Sequence, residues 1–209
     1  MFSVKAWRNI RRIQNFAYVL ARKVWKPEFR LEERSKNVIN VGVLLMRQYF
    51  YLAYGSNLHF QQMQYRCSDC VFLGTGFLKE AELMFKGQYR NCYCSVDMGK
   101  KHKKTPVGIF LISDRDLQAL DKYEGYPTSY SRKIIKPNQV TVKSWLYPEI
   151  KLGDSIIYIM NSKTYGLPSQ RYWNVVCEGY NNCGLDRRFL QTALERSKNL
   201  YLKQLNGKL

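Results

Sequence analysis

Six aromatic and apolar residues, Tyr49-Phe50-Tyr51-Leu52-Ala53-Tyr54, run straight into Gly55-Ser56-Asn57-Leu58, and this abrupt stop constrains the chain more than any other stretch. The run reads as a short strand, and the pattern after it predicts a helix from Leu58 to about Cys67. A strand that feeds a glycine turn and then a helix start leaves several backbone N–H groups unpaired and pointing one way. Such a group of donors suits an anion or a carboxylate. Purely structural strand–turn–helix joints look the same, so the stretch alone marks a candidate and nothing more.

The rest of the chain must supply a core for that strand. Hydrophobic residues make up 45% of the 209, an ordinary share for a globular domain. No run approaches the roughly 18 apolar residues of a membrane span, so no transmembrane segment is expected. The formal charge is +18, and the first 48 residues hold 11 Lys/Arg against 3 Asp/Glu. A basic balance fits nucleic acid, an anionic surface, or simply a solvated face. Residues 1–45 differ from the remainder. Trp7, Ile10, Ile13, Ala17, Leu20 and Val24 recur at helical spacing between Arg8, Arg11, Arg12, Arg22 and Lys23. This predicts a basic amphipathic helical extension. It fits an organellar targeting segment over residues 1–30, a membrane-surface helix, or an appendage outside the mature protein, with Met46 as the start and residues 46–209 as the domain. Without a secretory pattern the expected location is cytoplasmic.

The middle of the chain alternates short strands and turns. Strands are expected over residues 71–78, 83–85, 91–97, 107–112, 130–135, 140–147 and 154–160. The 107–112 run is almost wholly apolar, which suits a central strand. Gly99-Lys100-Lys101-His102-Lys103-Lys104 reads as a solvated tip. Ser113 opens a helix as N-cap with Asp114 and Asp116 in its first turn. Gly125 and Pro127 end it just after Glu124. Further helices are expected after Ser169 and over about residues 186–205. Strands that dominate the middle, with helices flanking them, predict an α+β fold around a small mixed, mostly antiparallel β-barrel.

Few residues offer chemistry. Two histidines, His59 and His102, are too few for a His-based metal site. Cys67-x-x-Cys70 and Cys92-x-Cys94 are close pairs, but one falls at a helix end and the other on a strand, so reduced thiols are expected and no metal. No nucleophile elbow, phosphate loop or dinucleotide fingerprint is present. Glu124 is the best remaining group. A carboxylate among Tyr123 and Tyr126 at a broken helix end either has its pKa raised towards neutrality, as a proton shuttle needs, or is an exposed loop acid.

Three ordered motifs decide between those readings. Tyr51-Leu52-Ala53-Tyr54-Gly55-Ser56-Asn57-Leu58 resembles the opening signature of the γ-glutamylcyclotransferase-like family. Leu120-Asp121-Lys122-Tyr123-Glu124-Gly125-Tyr126-Pro127, with Tyr130 and Arg132 beyond, resembles the second. Pro168-Ser169-Gln170-Arg171-Tyr172, followed by Glu178-Gly179 and Gly184-Leu185, resembles the third. The resemblance spans about residues 49–196. It implies a compact barrel with outer helices and a reaction in which the free α-amine of a γ-glutamyl group attacks its own γ-carbonyl, forming 5-oxoproline and releasing an amine. It also implies Glu124 as the shuttle, and substrate contacts from Tyr51, Leu52, Ala53, Tyr54, Gly55, Ser56, Asn57 and Tyr172, with Tyr130 as a further wall. The expected partner is a small γ-glutamyl compound, with no cofactor and no nucleic acid. A non-catalytic module that binds such compounds is the alternative, and a basic nucleic-acid or anionic-surface binder is a third reading. The motifs read only the glutamyl end, so leaving group and oligomeric state stay open.

Overall fold

The computed structural model describes residues 47–88, 91–143 and 151–207. The expectations for residues 1–45, and the part of the 140–147 strand beyond Lys143, lie outside them. Strand β5, Lys104–Ser113, shows why the sheet is arranged as it is: nearly every residue from Thr105 onward is buried, as an unbroken apolar run requires. It lies at the middle of a six-stranded sheet of order β6-β8-β1-β5-β2-β7. Here β1 is Gln48–Ala53, β2 Val71–Lys79, β6 Tyr130–Ile135, β7 Val140–Lys143 and β8 Ser155–Met160. β8 pairs with β1 in parallel and with β6 antiparallel, while β2 runs antiparallel to both β5 and β7. Strands β3, Ala81–Gln88, and β4, Asn91–Met98, form a separate two-stranded ribbon.

The sheet is mixed and mostly antiparallel, but it does not close. Among the described residues β6 and β7 are its two edges, and neither pairs with the other or with the ribbon. The expected barrel is therefore an open sheet with a hairpin beside it. Strand count alone does not carry the matched tilt and shear that closure needs. The edges also carry exposed lysines, Lys133 on β6 and Lys143 on β7, which discourage further pairing.

Among the described residues four helices flank the strands: α1 Phe60–Arg66, α2 Asp114–Glu124, α3 Gln170–Asn182 and α4 Arg188–Leu205. The helix expected from Leu58 splits in two. Ser56–Leu58 makes a 3-10 turn, and extended His59 then caps α1 by accepting from the amide of Gln62. Leu58 packs so tightly on β5 that a Cβ at Gly108 would stand 2.7 Å from its Cδ2. Among the described helices none is long and apolar enough to cross a membrane. Lys100–Lys103 lie exposed in the turn between β4 and β5.

Helix α2 carries the clearest local code. The amide of Asp116 donates to Ser113 Oγ at 3.2 Å, and the amide of Ser113 donates to Asp116 Oδ2 at 3.4 Å, a reciprocal capping box. Gly125 ends the helix in the left-handed region at φ 63°, a conformation that costs little only for glycine. Glu124 is thereby fixed as the last helical residue. Ser113→Ala is expected to destabilise the protein by about 1 kcal/mol, measurable as a lower urea midpoint at unchanged slope. No change would mean that the Asp116 half of the box suffices.

Candidate active site

Elements from distant parts of the chain meet around one cavity of about 930 Å³. The end of β1 and its 3-10 turn supply Tyr51, Tyr54, Gly55, Ser56 and Asn57. The end of α2 supplies Glu124, and α3 supplies Tyr172. Tyr130 from β6, Tyr158 from β8 and Cys94 from β4 line the cavity as well. Leu52 and Ala53 do not line it; both side chains are buried in the core. Alternation turns Leu52 to the face opposite Tyr51, while Ala53, on the same face as Tyr51, is closed off by packing.

Asn57 is the hub. Its Nδ2 donates to Glu124 Oε1 at 2.9 Å and to the Tyr51 hydroxyl at 2.7 Å. Its Oδ1 accepts from Arg66 Nη1. The amide is buried and all three of these partners are in place. Burial, the largest influence, raises the Glu124 carboxyl from an ordinary 4.5 to about 7, against the opposing Asn57 hydrogen bond and the Arg66 charge. A carboxyl with a raised folded-state value holds extra protons between the unfolded and folded values. Its protonation therefore stabilises the fold fully below about pH 4.5, and that stability is lost as the pH rises through about 7. Glu124→Gln, neutral throughout, is expected to match the native protein at about pH 4 and to exceed it by about 1–3 kcal/mol at about pH 8. Denaturant unfolding at both values checks this, and an equal difference at both would show that ionising Glu124 costs nothing.

Close approach sets the Gly55 side of the cavity. A Cβ on Gly55 would lie 3.0 Å from Cys94 Cβ and 3.1 Å from the Tyr172 hydroxyl. Gly55 itself has φ −121°, so the glycine is required by packing and not by a left-handed backbone. The Tyr172 hydroxyl accepts from the Cys94 amide at 3.1 Å, and the Tyr54 hydroxyl donates to the Tyr158 carbonyl. Tyr158 in turn donates to Asp121 Oδ1 at 2.6 Å, and Arg132 holds Asp121 Oδ2 at 3.0 Å. Burial pushes the Tyr51, Tyr54, Tyr130, Tyr158 and Tyr172 phenols well above their usual range, so they serve as neutral donors. Cys94 is pushed up to about 12 for the same reason. Cys67 caps α1, while Cys92 and Cys94 lie on β4; among the described residues no three His, Cys, Asp or Glu side chains group as metal ligands would.

Sequence reasoning does not find Arg66 or Tyr158, nor the place of Cys94 at the cavity. Tyr158 sits in an apolar strand run with nothing local to mark it, and Cys94 is marked in the sequence only as half of the Cys92-x-Cys94 pair. Arg66 follows Asn57 by nine residues, and only the fold brings its guanidinium back to that amide.

The architecture defines a mixed α+β protein whose cavity suits a small molecule and presents a half-buried carboxylate. Residues 51–173 match the family described as gamma-glutamyl cyclotransferase, AIG2-like, and the chain belongs to that family. Membership supports a cyclotransferase-like function. A sequence comparison with curated proteins returns no match. Among solved structures the chain is similar to one called gamma-glutamyl cyclotransferase, with TM-score 0.60, 19% identity, and coverage of 70% of this chain and 86% of that one. It is equally similar to an uncharacterized protein from Homo sapiens, with TM-score 0.59, 20% identity and the same coverage. YkqA from Bacillus subtilis gives TM-score 0.57 at 20% identity, over 73% of this chain and 55% of that one. At such identities these likenesses speak for the fold.

Proposed function

We propose that the protein is a γ-glutamyl cyclotransferase that releases 5-oxoproline from a γ-glutamyl amino acid, amine or carrier, with Glu124 as its proton shuttle. The observation that carries this reading is the placement of a carboxyl poised near pH 7 in the same cavity as the Gly55–Asn57 turn. Nucleophile and electrophile already share one molecule. A curled substrate therefore reaches an effective molarity of order 10⁵ M or more once its chain is held.

What remains for the protein is grip, proton transfer and charge. The leading amides of the 56–58 turn have no acceptor within it and suit the α-carboxylate. The Glu124 carboxylate takes a proton from the α-ammonium. The freed amine attacks the γ-carbonyl, a C–N bond forms, and the carbonyl oxygen becomes an oxyanion. Tyr51, accepting from Asn57, keeps its own proton to donate there; one such donor is worth roughly 3 kcal/mol. Collapse of the intermediate breaks the original C–N bond: protonated Glu124 returns its proton to the leaving nitrogen, and the regenerated carboxylate takes the second proton from the ring nitrogen and passes it to the departing amine, which leaves as an ammonium. No cofactor enters this scheme.

The test is a panel of γ-glutamyl amino acids, amines and peptides incubated with the full chain, with 5-oxoproline read by mass. Product from at least one is expected. Thermal stabilisation by panel members without product would instead indicate a binding module that does not turn over.

A further inference from the structure

We propose that Arg66 is a positioning residue that governs Glu124 through the side chain of Asn57. The inference rests on the proton-shuttle reading above and goes beyond it, because Arg66 does not line the cavity.

The geometry is specific. Arg66 uses its fork in three directions: Nη1 donates to Asn57 Oδ1, and Nη2 donates to Gln62 Oε1 and to the Tyr123 hydroxyl, each at 2.7 Å. Its guanidinium also stacks 3.6 Å from the centre of the Tyr123 ring. Arginine can only donate. Wherever it touches the Asn57 amide it must meet the oxygen, which turns both N–H bonds of Nδ2 toward Tyr51 and Glu124. A free asparagine amide can flip, since its two ends are nearly isosteric. Flipped, it would offer its oxygen to Glu124, favouring the protonated acid. Arg66 removes that option, and its grip on Tyr123 fixes the residue beside Glu124 at the same time.

The charge balance around Glu124 leaves this role to Arg66. Tyr51 and Tyr54 from β1 and its turn, Tyr130 from β6, Tyr158 from β8, Tyr172 from α3 and Cys94 from β4 are neutral near pH 7. Asp121, one turn back on α2, is paired with Arg132. Arg66 is the positive group acting on the Glu124 carboxyl, and with Asn57 it opposes the burial that would otherwise keep the acid protonated.

The experiment compares the native full chain with Arg66→Met and Arg66→Lys by two readouts. One is the pH profile of kcat/KM for 5-oxoproline release. The other is the NMR titration of ¹³C-labelled Glu124 carboxyl, assigned with Glu124→Gln. In Arg66→Met both are expected to move up by about one pH unit, with kcat/KM at pH 7 falling roughly five-fold and recovering at higher pH. Arg66→Lys keeps the charge without the fork and should fall between. A merely structural loss would lower kcat/KM equally at every pH. A Glu124 carboxyl that titrates in both variants where the native one does overturns the proposal; the milder lysine variant serves if the methionine variant fails to fold. If the native chain yields no 5-oxoproline, the cyclotransferase reading fails, while the carboxyl titration still decides the role of Arg66.

Discussion

Glu124→Gln is expected to lower kcat/KM for 5-oxoproline formation by at least about 10²-fold. The amide keeps the volume of the acid and still accepts from Asn57 through its oxygen, so the cavity should be unchanged. It can neither take the proton of the α-ammonium nor return one to the leaving amine. The magnitude follows from what the substrate already supplies. Because ring closure is intramolecular, effective molarity resides largely in holding the chain curled, and the turn of residues 55–57 remains available for that in the variant. Proton transfer is the contribution withdrawn. In the native protein kcat/KM is expected to rise with pH along a limb centred near 7, the value to which burial raises Glu124. Below it the carboxyl is already protonated and accepts nothing. Turnover that persists in the Gln variant with the same limb would remove Glu124 from the proton path. The same substitution is expected to stabilise the fold above neutrality, so activity and stability should move in opposite directions. That pairing is what a functional group held against its solvation preference produces.

The parts of this structure that could be read from the sequence are those coded within one or two turns of chain. Ser113 and Asp116 stand three residues apart and cap α2 by contacts only that spacing allows. Gly125 stops the helix one residue after Glu124 for a backbone reason that needs no knowledge of the fold. The apolar run of β5 likewise announced a central strand. The uses of the same residue types that depend on distant partners were not legible. Gly55 looked like a turn glycine, yet its requirement comes from Tyr172 and Cys94, far along the chain. Leu52 and Ala53 stand inside a matched motif, yet strand alternation turns Leu52 away from the face of Tyr51 and packing buries Ala53. Closure of the sheet was expected from a run of short strands, but edges are decided by which strands find partners, and β6 and β7 do not find each other.

Gly179→Ala tests the largest of these non-local dependences, and the two effects it sets against each other have opposite signs. Gly179 lies inside α3, where glycine costs about 1 kcal/mol of helix propensity relative to alanine. Propensity alone therefore predicts a more stable variant. The packing predicts the reverse. A Cβ at position 179 would stand 2.8 Å from the His59 backbone nitrogen and 2.9 Å from both the Leu58 carbonyl carbon and the Leu58 Cβ. The first two are main-chain atoms and the Leu58 Cβ is fixed by its main chain, so no rotamer change relieves the clash. The turn cannot retreat either, because Leu58 already presses on β5 at Gly108. Overpacking against such a rigid pair costs about 3 kcal/mol, the upper end of its usual range, which exceeds the propensity gain. A net loss of about 2 kcal/mol is expected, lowering Tm by roughly 4–8 °C. Activity should suffer as well, because α3 carries Tyr172 and the displaced turn carries Asn57, the residue that orients Glu124. Misplacement of such groups by a fraction of an ångström should reduce kcat/KM by about tenfold at a temperature where the variant is fully folded. A Gly179→Ala protein that melts higher than the native one and turns over at the same rate would mean that α3 is not seated on the turn. The positioning of the asparagine, and through it of the carboxylate, would then need another support.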